Sequence, residues 1–357
     1  MASRFHNITV ADIQKTTKDC SIVSFHIPDE LHEEFKFTQG QYLTLRSQID
    51  GENVQRSYSL CSSPDDKAWH VGIKKIHGGQ FSTYANDVLK VGDTVEAMAP
   101  NGNFFIDVEP NAGRNFIAIA AGSGITPIYS IIKTHLENEP NSTFKLFYTN
   151  QTAGSVILKE EIEGLKNRFI DRFEVFHFLT KQSRGIDLYN GRLDREKLEK
   201  LCNAVIDVEQ IDHIFSCGPE EMIFMAKDFF VAKGVDEKKI HFELFTSSAA
   251  KKGPKKEVTE EMKGLISDVT ILDGGKSFNF KIHQGSNNIL DAALANGADL
   301  PFACKGGVCS TCKAKVIEGK VDMEVNYALE EEEVAAGYVL TCQGIPCSDK
   351  IVVDFDN

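Results

Sequence analysis

The 357-residue chain lacks any excess of basic residues: 39 Lys and Arg stand against 52 Asp and Glu, a formal net charge of -13. Nucleic-acid binding needs a basic face to neutralise phosphate, and an anionic membrane surface repels such a chain, so neither partner is expected. A run of about eighteen apolar residues, the least that spans a membrane, is also missing. The most apolar stretch, around 116–132, is broken by Gly122, Gly124 and Pro127. The opening MASRFHNITVADIQ alternates polar and apolar residues and has no signal-peptide core, so a cytoplasmic location is expected. No internal repeat is present. With 42% hydrophobic and 25% charged residues the composition excludes general disorder. The length predicts two or three domains.

What is there changes character along the chain. Over 1–108, alternating segments at 21–27, 42–46 and 70–75 are separated by turn signals at Gln39-Gly40, Asp50-Gly51, Gly78-Gly79, Gly92-Asp93 and Asn101-Gly102. Short strands with frequent turns predict an antiparallel β-barrel. Over 109–245, apolar strands at 116–120, 144–148, 173–179 and 213–217 alternate with helical runs at 128–136, 156–169, 195–202 and 220–233. That alternation predicts an α/β domain with an open parallel sheet. Residues 246–264 are polar, without aromatics or apolar period, and read as an interdomain linker. Over 265–357 a β-hairpin is predicted across Gly274-Gly275, followed by a helix at 289–295 and strands at 314–317 and 351–355, an α+β domain. With seven Lys and Arg against fourteen Asp and Glu, it is the most acidic part for its size.

Nine cysteines is an odd number, and clustered cysteines in a cytosolic protein more often bind metal than form disulfides. Cys304, Cys309 and Cys312 follow C-x4-C-x2-C, with Cys342 thirty residues on. This is the spacing of plant-type [2Fe–2S] ferredoxins. Three thiolates come from one loop and the fourth from a distant segment. Gly306, Gly307 and Ser310 leave room for the loop to wrap the cluster and aim backbone amides at sulfur, which tunes the reduction potential. A tetrahedral zinc site is the second reading, but such sites usually pair two C-x2-C knuckles and only one exists here. Cys347 has the wrong spacing and reads as a bystander. Cys20 and Cys202 read as buried or incidental thiols.

Arg56-Ser57-Tyr58-Ser59-Leu60 ends a predicted barrel strand, with Ile73-Lys74-Lys75 and Gly79-Gln80-Phe81-Ser82 downstream. Together they hold what a flavin diphosphate requires. Arg56 offers a planar cation for pyrophosphate, Tyr58 an aromatic face, and Ser59 a small donor near the reactive ring nitrogen. Gly79 admits close backbone approach, and Ser82 can cap the helix that begins there. Arg56 alone would read as a solvated surface charge.

Ala120-Ala121-Gly122-Ser123-Gly124-Ile125-Thr126-Pro127 joins the first parallel strand to the first helix, where open α/β sheets bind ligands. The glycines would let a dinucleotide pass close and Thr126 could hydrogen-bond it. Cys217-Gly218-Pro219-Glu220-Glu221-Met222 reaches the same sheet edge. Cys217 either borders a nicotinamide there or is a buried small hydrophobe.

The order RSYSL, AAGSGITP, CGPEEM and the C-x4-C-x2-C loop resembles the ferredoxin–NADP+ reductase superfamily fused to a C-terminal plant-type ferredoxin, over essentially the whole chain. PFACKGGVCSTCKAKVIEGKVDMEVNYALEEEEVAAGYVLTCQGIP is similar to the reductase subunits of bacterial phenylacetyl-CoA epoxidases, which are multicomponent di-iron oxygenases. The resemblance implies FAD in the barrel (FMN being the lesser alternative), NADPH or NADH in the α/β domain, a [2Fe–2S] cluster in a β-grasp-like ferredoxin domain, and electron delivery to an oxygenase component. It implies flavin contacts at Arg56, Tyr58, Ser59, Lys74, Gly79 and Ser82, with Leu60, Ile73, Gln80 and Phe81 beside them. It implies nicotinamide-side contacts at Gly122, Gly124, Thr126, Cys217 and Gly218, a cover for the flavin ring at Phe245, and places for Ser59 and Cys217 nearest the chemistry. Gln151 departs from the family, which often has Arg there for a 2′-phosphate; Arg184 or Lys181 are the substitutes. The flavin would take two electrons from a nicotinamide and release them singly to the cluster, with no strong base required. A ring or steroid hydroxylase is an alternative partner. A non-enzymatic electron carrier or a free-flavin reductase are the less favoured readings.

Overall fold

The computed structural model describes residues 5–245, 266–283 and 287–356, so the expected linker at 246–264 lies outside the described residues. The chain divides into two compact units, one essentially residues 7–245 and the other the C-terminal part.

The larger unit begins with β1 (His6–Thr17), β2 (Cys20–His26), β3 (Tyr42–Ile49), β4 (Glu52–Ser59), β5 (Trp69–Lys74), α1 (Gln80–Asp87) and β6 (Thr94–Ala97). The six strands form one sheet in the order β4-β3-β6-β1-β2-β5. An antiparallel bridge between Leu60, just past β4, and Val71 of β5 joins the sheet's two outer strands, so it closes on itself as a barrel. Alternate residues of each strand point inward, and Val10, Val23, Leu43, Leu45, Val71 and the α1 residue Phe81 share one core.

Next come β7 (Asn115–Ala121), α2 (Ile125–Asn138), β8 (Thr143–Asn150), α3 (Lys159–Arg168), β9 (Phe173–Leu179), α4 (Arg195–Cys202), β10 (His213–Gly218), α5 (Glu220–Ala232) and β11 (Ile240–Leu244). The five strands are parallel in the order β11-β10-β7-β8-β9. The strand order reverses between β7 and β10, the position at which such sheets open a ligand crevice. β11 is a fifth strand beyond the four expected. The helix expected from 156 starts later, because Leu158 takes a left-handed backbone (φ 56) just before it. Within this unit α2 packs on the barrel. Ser130 Oγ donates to the Ser62 carbonyl at 2.7 Å, and Thr134 Oγ1 to Ser63 Oγ at 3.0 Å.

The C-terminal unit holds β12 (Ile266–Asp273), β13 (Lys276–His283), α6 (Ile289–Ala295), β14 (Lys313–Glu318), β15 (Val321–Met323), α7 (Glu331–Ala335), β16 (Tyr338–Leu340), β17 (Gly344–Pro346) and β18 (Lys350–Asp354). Its main sheet runs β13-β12-β18-β14-β16, and β15 pairs with β17. Gly274 and Gly275, both at positive φ (58 and 70), make the tight turn between β12 and β13. α6 covers the sheet, burying Ile289 and Leu290 against Val269, Ile351 and Val353. Among the described residues no helix is long and apolar enough to cross a membrane.

Candidate active site

Three residues meet where the barrel faces the carboxyl edge of the parallel sheet. Ser59 ends β4 and is 3% exposed. Its hydroxyl donates to Glu243 Oε2 at 3.1 Å. Glu243 lies on β11 in register with Cys217 of β10. Burial pushes the Glu243 carboxyl up to about 8, an effect the Ser59 hydroxyl only partly offsets. The residue as a whole is half-buried, and its carboxyl oxygen lies against the buried Ser59 hydroxyl. Cys217 is fully buried, and burial followed by the nearby Glu243 charge pushes its thiol well above the ordinary range. It is therefore a neutral thiol and no nucleophile at neutral pH. Ser59 and Cys217 are expected from the sequence, and Glu243 is not. A carboxylate at the carboxyl end of a parallel strand would signal it, but only where β11 is itself expected.

On the barrel side, Tyr58 packs against Phe81 with ring centroids 5.5 Å apart. Phe81 is buried and anchors α1 in the core, which fixes the start of that helix. The amides of Gln80, Phe81 and Ser82 open α1 ahead of any intrahelical carbonyl and present its positive end. The expected cap by Ser82 is not formed. Gly79 is the N-cap, with no side-chain cap, and Ser82 sits in the first turn. There its hydroxyl donates back to the Gly79 carbonyl at 3.3 Å and accepts from the Ile76 amide at 3.3 Å. Lys74 Nζ lies 3.7 Å from Asp19 Oδ2, and Arg56 Nη1 donates to the Gln55 carbonyl at 2.6 Å. Gln80 Nε2 donates to Glu52 Oε2 at 3.3 Å. Leu60 and Ile73 are wholly in the core, so only their backbone can face a ligand. Guanidinium, ammonium and helix-start amides suit a diphosphate, and the Tyr58 ring suits a flat heterocycle.

At the sheet edge two of the expected residues also have partners within the protein. Gly124 is small because of the protein itself: a Cβ there would lie 2.2 Å from the Cys217 carbonyl oxygen. Thr126 is 2% exposed, its methyl fills the space left by Gly72, and its hydroxyl already donates to the Ser123 carbonyl at 3.0 Å. Gly122 (φ 54) and Gly218 (φ 155) occupy backbone conformations that favour glycine. Phe245 follows β11 and is 41% exposed. Thr149 Oγ1 and Asn150 Nδ2 at the end of β8, and Ser216 Oγ on β10, are buried without a partner among the described residues. Buried polar atoms are normally paired. Such atoms toward the carboxyl ends of strands beside a glycine turn fit a dinucleotide. Beside them, the Lys181 amide donates to the Gln151 carbonyl at 2.8 Å, and Arg184 Nη1 to the His177 carbonyl at 2.9 Å.

In the C-terminal unit, Cys304, Cys309 and Cys312 occupy the loop between α6 and β14, and Cys342 follows β16. The Cys304 thiol touches those of Cys309 and Cys342, whose hydrogen bonds draw it below the ordinary range. Cys312 touches Cys342. Cys309, Cys312 and Cys342 are buried, as is Ser310. The Gly306 amide donates to Cys304 Sγ at 3.3 Å. Gly307 (φ 73) lets the loop turn beneath the Val325 carbonyl, which a Cβ would approach to 2.8 Å. The Thr341 amide and hydroxyl both donate to the Cys312 carbonyl, at 3.1 and 3.0 Å, and lock Cys342 beside it. No three His, Cys, Asp or Glu side chains among the described residues close on a single metal-ion centre. The four thiols thus form one contacting run, Cys309 to Cys304 to Cys342 to Cys312, a set of four that a two-iron cluster requires. Cys347 Sγ turns to the Ile345 carbonyl at 3.4 Å, outside this set.

Three family models match in succession: an oxidoreductase FAD-binding domain over residues 7–106, an oxidoreductase NAD-binding domain over 118–228, and a 2Fe-2S iron-sulfur cluster binding domain over 271–347. The chain is 41% identical to one of the subunits of 1,2-phenylacetyl-CoA epoxidase from Escherichia coli, over 99% of this chain and 98% of that protein. It is 32% identical to the ferredoxin reductase component of 3-ketosteroid-9-alpha-monooxygenase of Rhodococcus rhodochrous, over 99% and 97% of the two chains. Its fold is similar to that of phthalate dioxygenase reductase, with a TM-score of 0.59 and 20% identity over 98% of both chains.

Proposed function

Since the chain belongs to the ferredoxin reductase family with a C-terminal [2Fe–2S] domain, we propose that it is the reductase component of a phenylacetyl-CoA epoxidase. It is an NAD(P)H-dependent oxidoreductase that uses FAD and a [2Fe–2S] cluster and serves an oxygenase. The observation that carries the choice of oxygenase is the 41% identity, nearly end to end, to the epoxidase protein, against 32% to the ketosteroid reductase. A cytoplasmic setting suits nine cysteines that are all unpaired.

Bound in the barrel, FAD would supply a centre that takes electrons in pairs from NAD(P)H and gives them up singly. Arg56, Lys74 and the first amides of α1 would hold its diphosphate, and Tyr58 would offer an aromatic face. Ser59 Oγ and the Cys217 thiol are the side chains that would position the reacting groups, and close placement lowers the barrier. Glu243, with its carboxyl at about 8, is mostly protonated at neutral pH and exchanges a proton with Ser59 Oγ. Gly122, Gly218, Thr149 and Asn150 receive the dinucleotide, with Arg184 and Lys181 beside Gln151 as the candidates to hold a 2′-phosphate. Cys304, Cys309, Cys312 and Cys342 hold the cluster.

The test mixes the anaerobically reconstituted holoprotein with the oxygenase components of phenylacetyl-CoA epoxidase and follows NADPH and NADH oxidation in air. Oxidation that depends on phenylacetyl-CoA and matches its loss establishes the partner and the nucleotide. Reduction of ferricyanide without any response to phenylacetyl-CoA leaves a reductase of another oxygenase, and the ketosteroid system is then the next to mix in.

A further inference from the structure

Gln343 follows Cys342 in the turn between β16 and β17 and, though long and polar, is only 8% exposed. Burying an amide is costly unless its hydrogens are taken up. Its Nε2 donates to the Lys305 carbonyl at 3.1 Å and the Cys342 carbonyl at 3.0 Å, and stands 3.6 Å from Cys342 Sγ, in hydrogen-bonding range for sulfur. Two N–H groups thus serve three acceptors, the sulfur among them. Gly307 leaves room for the side chain: a Cβ there would come within 3.2 Å of Gln343 Cγ. Lys305, whose carbonyl it grips, has a left-handed backbone (φ 50) in the loop that carries Cys304. Gln343 therefore bridges the cysteine loop and the distant fourth cysteine.

We infer that Gln343 raises the reduction potential of the [2Fe–2S] centre by presenting its side-chain N–H to the sulfur of Cys342. The inference rests on Cys342 being a cluster ligand. Reduction adds one negative charge, part of which falls on the ligand sulfurs. A hydrogen bond to a sulfur strengthens as the sulfur becomes more negative, so the donor favours the reduced form.

The experiment is an EPR-monitored redox titration of the full-length holoprotein and its Gln343→Leu and Gln343→Met variants. Neither replacement can donate a hydrogen bond, and neither adds a charge. Both should take up an electron less readily by roughly tenfold, equivalent to about 59 mV for a one-electron couple, with the flavin potential unmoved. A wild-type cluster potential in either variant, at full iron and sulfide content, overturns the inference. Should both variants fail to hold the cluster, wild-type protein carrying 15N in its glutamine side chains decides. A 15N hyperfine coupling in the reduced-cluster spectrum supports the hydrogen bond, and its absence overturns it. Cys342→Ser separates the two layers: a wild-type cluster spectrum there would remove the ligand reading itself, whatever Gln343 does.

Discussion

The hydroxyl of Ser59, at the end of a barrel strand, donates to the carboxyl group of Glu243, on the last strand of the parallel sheet, across 3.1 Å and 184 residues of sequence. This bond places the serine hydroxyl and the carboxyl next to the buried Cys217 thiol. Ser59→Ala should slow flavin reduction by NAD(P)H by about a hundredfold, the scale on which small displacements act in positioned reactions. Stopped-flow absorbance at the flavin band measures it. An unchanged rate would remove Ser59 from the chemistry.

The same carboxyl gives stability a pH signature. Its folded value of about 8 lies above the ordinary 4.5, so the folded state holds the proton more tightly. Its favourable contribution is full below about pH 4.5 and disappears as pH rises through 8. Glu243→Gln should flatten the fall in melting temperature between those limits. A curve parallel to the wild type would contradict this account.

The cluster and the flavin should be separable. In Cys309→Ser the iron–sulfur absorbance should vanish, while NAD(P)H-to-ferricyanide turnover persists and delivery to the oxygenase stops. Normal oxygenase turnover by that variant would break the proposed electron path.

Much of this is legible without the fold. The cysteine spacing picks out the four thiols that touch, and the Gly274-Gly275 pair marks the hairpin that forms. Strand and helix alternation predicts the α/β sheet, since apolar periodicity is a local signal. What is not legible depends on distant neighbours. β11 is five residues long, and β15, β16 and β17 have three each, too short for a period to show. Glu243 becomes notable only once β11 lies beside β10. The smallness of Gly124 is demanded by the carbonyl of Cys217, far along the chain, and the Thr126 hydroxyl is already engaged with Ser123, neither of which spacing reveals.

Glu139 supplies a stability prediction. It is completely buried. Burial opposes its ionisation, but hydrogen bonds from His135, Arg114, Ser142 and the Glu109 amide outweigh that and hold the carboxyl well below the usual range. Its contribution is present above the ordinary carboxyl value and lost as pH falls toward the folded one. Glu139→Ala takes a buried carboxylate from His135, Ser142 and Arg114, leaving the guanidinium only Glu109 and the Asp107 carbonyl, and should cost roughly 3–5 kcal/mol in chemical denaturation. A loss under about 1 kcal/mol would mean that water replaces the carboxylate.

A second acid-sensitive point is the contact between His213 Nδ1 and His241 Nε2 at 3.1 Å. Burial, then His213, pulls His241 down to about 4. The unfolded chain therefore binds a proton first as pH drops, and stability should fall between about 6.5 and 4 and level off below. His241→Gln should remove that part of the slope. A proton titration of His241 by NMR near its ordinary value would refute it.

The double grip of Thr341 on the Cys312 carbonyl, together with the pairing of β14 to β16, bears on how two distant cysteines come to lie side by side. These bonds join protein atoms to protein atoms. The spacing of Cys312 and Cys342 is thus tied to the register of the sheet, so a change that shifts β16 against β14 reaches the cysteines without touching either of them.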